Sequence, residues 1–294
     1  RLQMPLCWIE DRSENLLATT HGRAQITDLE LAVQQDGKVS ALRIDVTGNV
    51  GAYPIFTFLP WLTGRMSVGV YHIPAVEINT RCVCTNTTPV AAYRGAGRPE
   101  AAYYIERLMD IAALELGIDP VEIRRRNFIP PDAFPYQTPT GATYDSGEYE
   151  RALNRALEMA GYADLRARQA QRSGDGEMLM GIGVAVFVET CAPGPYESAS
   201  VRVEPSGSVT VFTGIMPHGQ GQGTTFAQMV ADEIGADYDR IVVKYGDTAS
   251  GPMGIGTYGS RGLAVGGMAL MRSTEQIRAK AQQIAAHILE AADE

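Results

Sequence analysis

Between Thr213 and Gln228 the chain reads Thr-Gly-Ile-Met-Pro-His-Gly-Gln-Gly-Gln-Gly-Thr-Thr-Phe-Ala-Gln, a spacing of glycine and amide residues suited to holding an anion attached to a heterocycle. Gly219, Gly221 and Gly223 let the backbone bring its N–H groups close to a ligand. Gln220 and Gln222 add donors and acceptors without charge, which fits a heterocycle with a phosphate tail better than a bare phosphate. The stretch follows an alternating strand (Val209, Val211 and Thr213 on one face, Thr210 and Phe212 on the other). It leads into a helical pattern at Phe226, Met229, Val230 and Ile234, whose first turn carries a partial positive charge. No Lys-Ser/Thr follows the glycines, so this is not a phosphate loop, and the spacing is not that of the dinucleotide fingerprint. The same residues also suit a flexible turn that caps a helix.

Two further stretches have the same design. Ala91-Ala92-Tyr93-Arg94-Gly95-Ala96-Gly97-Arg98-Pro99-Glu100 reads as a glycine turn after a strand, entering a helix with Pro99 in its first turn. Arg94 and Arg98 bracket the turn, where a guanidinium fork can hold an oxyanion at two points; they equally suit pairing with carboxylates that fix the loop. Gly254-Ile255-Gly256-Thr257-Tyr258-Gly259-Ser260-Arg261-Gly262 precedes the last helix, and Ser260 with the backbone there makes another anion cradle.

The elements that must position these turns are hairpins, single strands and helices. Leu29, Leu31 and Val33 pair through Asp36-Gly37 with Val39, Leu42, Ile44 and Val46, and Val201 and Val203 pair through Pro205-Ser206-Gly207 with Val209 and Val211. Further strands are expected at Leu6 to Glu10, Val76 to Val83, Met178 to Val188 (buried on both faces) and Ile241 to Lys244. Helices are expected after Asp11, from Pro99 to Gly117, from Asp119-Pro120 to about Arg126, from a cap at Ser146 to Gly161, and at Ile277, Ala281, Ile284 and Ile288. Residues 51 to 74 read as loop with one helical turn, and Pro130 to Gly141 as a surface connection. The fold class is α+β: two subdomains of mixed β-sheet, each a hairpin plus an extra strand, flanked by helices. The boundary falls near residue 175, giving subdomains 1–175 and 176–294, and the repeated hairpin, glycine turn and helix suggest a weak internal duplication.

The composition narrows the function classes. Apolar content of 45% with 20% charged residues over 294 residues is that of a globular protein with one large core or two moderate ones. A net charge of -9 argues against nucleic acid or an anionic membrane as the main partner, and the basic run Arg124 to Arg126 reads as a solvated or salt-bridged helix face. No apolar run reaches the length of a bilayer span. Cys7, Cys82, Cys84 and Cys191 lack the C-x-x-C pairing of zinc or iron-sulphur sites, so they read as reduced thiols of a cytoplasmic protein, Cys82 and Cys84 lying in the core.

Taken together, the three turns resemble the molybdopterin-binding large subunit of the xanthine dehydrogenase, aldehyde oxidase and carbon monoxide dehydrogenase family. Five motifs occur in family order: W-x-E-D-R at Trp8 to Arg12 with H-G-R at His21 to Arg23, the Ala92 to Ala101 run, Pro135 to Tyr149, the G-Q-G turn, and G-T-Y-G-S-R. The resemblance implies that Gly219, Gln220 and Gly221 hold the pterin and that Gly259, Ser260, Arg261 and Gly262 lie close to the metal and its dithiolene or phosphate. It places Arg94 beside the molybdenum, and Gly95, Ala96 and Phe187 at the substrate pocket. No residue of this chain is implied to bind the metal directly. The implied cofactor is molybdopterin, as the cytosine dinucleotide in prokaryotic members, with iron-sulphur clusters and FAD on partner chains. The implied chemistry is hydroxylation of an aldehyde or N-heterocycle with water-derived oxygen.

Departures from the family pattern are equally specific. Carbon monoxide dehydrogenases resemble this chain but carry a copper-binding cysteine where Gly95 stands. Purine-oxidising members carry a phenylalanine where Ala96 stands, so the pocket here is expected to be wider. Gln222-Gly223 replaces a His-Glu pair. The family's phenylalanine-containing glycine motif and its base glutamate are not found within residues 1 to 294, which makes an excised piece or a split subunit the expectation, and the chain alone is expected to be inactive and to retain no molybdenum. Within the chain, Glu189 and Glu197 are the candidates for a substitute base, and both also read as loop carboxylates. A non-catalytic scaffolding module of the same fold is the alternative.

Overall fold

In the computed structural model, residues 4–171 and 178–290 are described. They group into two compact units, 1–189 and 190–294. The composition change near 175 lies outside the described residues. The units meet later because Ile182, Val184, Val186 and Val188 stay packed against the first unit's helices and core.

Asp11 caps α1 (Arg12–Ala18) by accepting from the Glu14 N–H at 2.8 Å, and the Glu14 carboxylate returns to the Asp11 N–H at 2.9 Å. Leu6 to Glu10, expected as a strand, forms no ladder with described residues, and Leu6, Trp8 and Ile9 are exposed. The sheet of the first unit begins with β1 (Gln25–Val33) and β2 (Val39–Gly51), antiparallel in register from Gln25 opposite Gly48. Leu42, Ile44, Val46 and Val50 alternate inward along β2. Each such side chain contributes about 1.5–3 kcal/mol through burial. α2 (Leu59–Arg65) then crosses to β3 (Ala75–Cys84), which pairs parallel with β2 and forms the sheet edge. Cys82 and Cys84 are therefore exposed on this edge and not in the core as expected.

α3 (Arg98–Leu116) packs Ile105, Met109, Ala112 and Ala113 into the same core and ends at Gly117 in the left-handed conformation. Asp119 caps α4 (Pro120–Asn127), whose basic run is not simply a solvated face. Arg124 is fully buried and bonds Glu106 (2.8 Å), Asp110 (2.9 Å) and the Pro120 carbonyl (2.8 Å). The Glu106 carboxylate also accepts from the Tyr71 hydroxyl and from the Val186 N–H at 3.1 Å. Burial, and then the Glu106 charge, push the Tyr71 phenol well above its ordinary range. β4 (Tyr136–Gln137), inside the stretch read as a surface connection, pairs with β5 (Thr143–Tyr144) just beyond it in a small hairpin, where Thr138 and Tyr144 are buried. α5 (Tyr149–Ala160) starts from Glu148 rather than Ser146 and has no side-chain cap; α6 (Tyr162–Gln171) follows. Met178 to Val188 forms no ladder with described residues. Only its alternate residues from Met180 to Val188 are half-buried, so it is not a strand covered on both faces.

The second unit repeats the topology. β6 (Ala199–Val203) and β7 (Val209–Thr213) are antiparallel, α7 (Gln222–Ile234) crosses over, and β8 (Ile241–Lys244) lies parallel to β7. Val201, Val209, Val211, Ile215, Phe226, Val230 and Leu270 make its core. A π-helical segment, Gly262–Gly267, leads into α8 (Met268–Leu289). The two sheets share a hairpin, a crossover helix and a parallel third strand, so the counterpart of α7 is α2, within the stretch read mostly as loop, and not the helix after the first glycine turn as the expected duplication had it. No described helix is long and apolar enough to cross a membrane.

Candidate functional site

In the first unit the segment between β3 and α3 contains four successive residues with positive φ: Arg94 (22°), Gly95 (87°), Ala96 (48°) and Gly97 (87°). A left-handed non-glycine residue costs about 1–3 kcal/mol, so surrounding contacts must impose this path. Gly97 lies so close to α2 that an added Cβ would sit 2.7 Å from the Leu59 carbonyl oxygen and 2.9 Å from the Thr63 nitrogen. Arg98 donates to the Gly95 carbonyl at 3.0 Å. From the other side, Arg23 donates to the Arg94 carbonyl at 3.1 Å, pairs with Glu100 at 3.2 Å and lies 5.6 Å from the centre of the Tyr93 ring. His21 fixes the approach, receiving from the Ala91 N–H and donating its own N–H to the Pro89 carbonyl. The Arg94 guanidinium itself is exposed and makes no hydrogen bond or ion pair with a described residue. Of the two arginines bracketing the turn, Arg98 fixes the loop and Arg94 faces solvent.

In the second unit two glycine turns run side by side. Gly214 and Gly254 touch back to back, since a Cβ on either would come 2.6 Å from the other's Cα. Further along, a Cβ on Gly262 would lie 2.9 Å from the amide nitrogen of Gln222. The first turn carries Gly219 (φ 102°) and Gly221 (φ 80°), and open space lies where their side chains would be. Gly221 begins α7 with no side-chain cap, so no capping side chain covers the first N–H groups of the helix. The Gln220 side-chain amide oxygen accepts from the His218 N–H and shapes the turn from within. Gln222 is buried, and its side-chain amide oxygen has no hydrogen-bond partner among the described residues. On the second turn Gly259 and Ser260 are left-handed, both at φ 56°, and Ser260 is exposed.

Arg261, grouped by sequence with the ligand-binding residues, has its side chain directed inward and fully buried. It donates to the Pro193 carbonyl (2.8 Å), the Tyr196 carbonyl (2.5 Å), the Gly256 carbonyl (2.8 Å) and Glu197 (2.5 Å). Glu197 also accepts from the Ile255 and Gly256 N–H groups at 2.7 and 2.8 Å. Burial raises the Glu197 pKa, but the Gly256 N–H and Arg261 outweigh it and hold the carboxyl below its ordinary value. Glu189 lies 4.0 Å from Arg98. Phe187 is exposed and lines an apolar groove of about 430 Å³ with Leu153, Leu157, Tyr162 and Leu165. Glu197 is thus the loop carboxylate that one of its two sequence readings allowed, whereas sequence reasoning missed Arg23 as a loop-holding residue, because it does not lie near its turn in the chain. Among the described residues no cluster of three or more His, Cys, Asp or Glu side chains is placed to hold a metal ion.

Two family models, each described as a molybdopterin cofactor-binding domain, match residues 1–128 and 155–294. The chain is 40% identical over 307 residues to the carbon monoxide dehydrogenase large chain of Hydrogenophaga pseudoflava, covering 98% of this chain and 38% of that one. It is 34% identical over 310 residues to the nicotine 6-hydroxylase large subunit of Paenarthrobacter nicotinovorans, covering 100% and 38%. Among solved structures, quinoline 2-oxidoreductase from Pseudomonas putida 86 superposes with a TM-score of 0.91 at 37% identity, covering 97% of this chain and 38% of that one. The chain thus spans less than two fifths of the length of these relatives, and the α+β fold is common to it and to the superposed structure.

Proposed function

Since this chain belongs to the molybdopterin cofactor-binding domain family of the molybdenum hydroxylases, we propose that it holds the pterin and phosphate parts of that cofactor in an enzyme that hydroxylates an N-heterocycle or an aldehyde. The observation that carries this reading is the paired turns of the second unit. Left-handed Gly219 and Gly221 border open space, an uncapped helix start lies beside them, and the partnerless Gln222 oxygen is buried next to Gly262. These groups fit a phosphorylated pterin: main-chain N–H groups for the anion, amide oxygens for ring N–H groups, and no side chain between backbone and ligand. When bound, molybdopterin supplies the metal centre at which water-derived oxygen is transferred and electrons are taken up, to pass to iron-sulphur and FAD partners.

The chain's own residues bind, orient and exclude. Gly219, Gln220 and Gly221 contact the cofactor on one turn, and Gly259, Ser260 and Gly262 on the other. Arg94, held by its strained backbone and free at its guanidinium, offers a fixed positive charge for an anionic group. Gly95 and Ala96 leave the adjoining wall low. Two of the relatives are named for action on nicotine and quinoline, both N-heterocycles, which supports that substrate class over carbon monoxide. So does Gly95, where a copper-binding cysteine stands in the carbon monoxide dehydrogenases.

Neither internal carboxylate suits a base. Glu197 is buried against Arg261 and two N–H groups, and Glu189 faces Arg98. That observation favours binding and positioning as this chain's share, with proton transfer supplied elsewhere in the enzyme.

The test is direct. Molybdenum and oxidised pterin are measured per chain in the purified enzyme, and mild acid hydrolysis is assayed for released cytidine monophosphate. Stoichiometric pterin with CMP is expected. Loss of pterin in Gly221→Val is expected too, while Arg94→Ala folds as the wild type and weakens retention. Full cofactor retention in Gly221→Val would sink the reading.

A further inference from the structure

We infer that Glu197 is a positioning residue which, through Arg261, sets the backbone of the 254–261 turn for its ligand. This rests on the reading that this turn meets the phosphorylated cofactor.

The geometry is one-sided. Of the five N–H donors of a guanidinium, four positions in Arg261 are committed to three carbonyls and the Glu197 carboxylate, at 2.5–2.8 Å. One Glu197 oxygen accepts from Ile255, Gly256 and Arg261 together. Both side chains are wholly buried. The bonds run to main chain at 193–196 and at 255–256, so the pair joins the strand-free segment before β6 to the turn. Neither side chain belongs to the second unit's apolar core.

Packing follows the same line. The Arg261 guanidinium lies 5.3 Å from the centre of the Tyr258 ring, Gly259 is pressed on Pro193, and Gly254 leaves room for the second Glu197 oxygen. With Gly256 tied at one end and Arg261 anchored at the other, Ser260 is left at the exposed apex with φ 56°. A side chain that carried the ligand would have donors to spare; Arg261 has nearly none. Its role is to fix the path of the backbone that does meet the ligand, and Glu197 neutralises it inside the fold.

The experiment uses the holoenzyme with Glu197→Gln, which keeps shape and removes charge, and with Glu197→Ala in case the first change is absorbed. Two quantities are read: amide hydrogen exchange at Ile255 and Gly256, and pterin per chain. Expected is a rise of about tenfold or more in exchange at those amides, with pterin content falling several-fold while exchange in α7 and β7 stays near wild type. Faster exchange with undiminished pterin would reduce the pair to a structural clamp and overturn the inference, as would unchanged exchange in both variants. Ser260→Asp, which adds a negative charge at the apex without touching the pair, separates the two levels. If it retains full pterin, the turn does not meet the cofactor and the underlying reading fails regardless of Glu197; if it loses pterin, the turn is a contact and the Glu197 variants decide the inference.

Discussion

Gly214 and Gly254 cross with their α-carbons so close that neither can carry a side chain: a Cβ on one would stand 2.6 Å from the other's Cα, and the buried Glu197 carboxylate closes the same gap. This contact, at the exit of β7 and the entry of the second turn, fixes the distance between the two glycine turns. Gly214→Ala and Gly254→Ala are each expected to destabilise the protein by about 1–3 kcal/mol through overpacking against backbone. Gly235→Ala, where nothing lies within 4 Å and only the left-handed φ is at stake, should cost about 1 kcal/mol. Urea unfolding of the three variants checks the order; equal losses would contradict it.

How much of this could be read from residues alone depended on the range of the interaction. Hairpins at Asp36-Gly37 and at Pro205-Ser206-Gly207, and helix starts at Pro99 and Asp119, are set by neighbours a few residues apart, and all four formed where expected. The glycine turns were legible for the same reason, since left-handed backbone needs glycine locally. What pairs across long separations was not. Nothing near Arg124 marks it as buried, because its partner Glu106 lies on another helix. Little near Arg261 marks its guanidinium as turned inward, because three of its four acceptors lie at 193–197. The apolar run at 178–188 misled for a related reason: hydrophobicity signals that a segment will be covered, not that its backbone will find a ladder partner.

Arg124 gives the second prediction. Its buried guanidinium is the counter-charge of Glu106, which also receives the Tyr71 hydroxyl and the Val186 N–H. Arg124→Leu leaves that carboxylate buried and uncompensated, so a loss of about 3–5 kcal/mol is expected. Arg126→Leu, at the half-exposed end of the same helix and paired among the described residues with Glu122 and the Asp36 carbonyl, should cost under about 1 kcal/mol. Chemical denaturation of the two variants decides it, and similar losses would mean that the buried network carries no special weight.

A third prediction concerns acid. Because the folded Glu197 carboxyl titrates below its ordinary value, its ionised form stabilises the fold. That contribution is fully present above the unfolded-state pKa of about 4.3 and is lost as the pH falls through that value toward the lower folded one. Glu197→Gln should therefore be less stable than wild type at neutral pH, with the gap narrowing below about pH 4.3. Thermal midpoints of both proteins across the acid range measure it; a gap that stays constant with pH would show that ionisation of Glu197 contributes nothing.

The last prediction turns on Pro99. At Gly95 the backbone is left-handed (φ 87°), and a side chain there would run into the Pro99 ring, with a Cβ only 2.5 Å from its Cδ. Installing a thiol at this place therefore meets two obstacles, conformational strain and the proline. Gly95→Cys alone is expected to disturb the 94–97 turn and lower stability by about 1–3 kcal/mol. Gly95→Cys combined with Pro99→Ala removes the ring and should recover part of that loss, leaving the left-handed strain. Double-mutant denaturation gives the coupling between the two sites, expected to be stabilising by about 0.5–3 kcal/mol for residues in contact. Strict additivity would mean that Pro99 does not govern what residue 95 can carry.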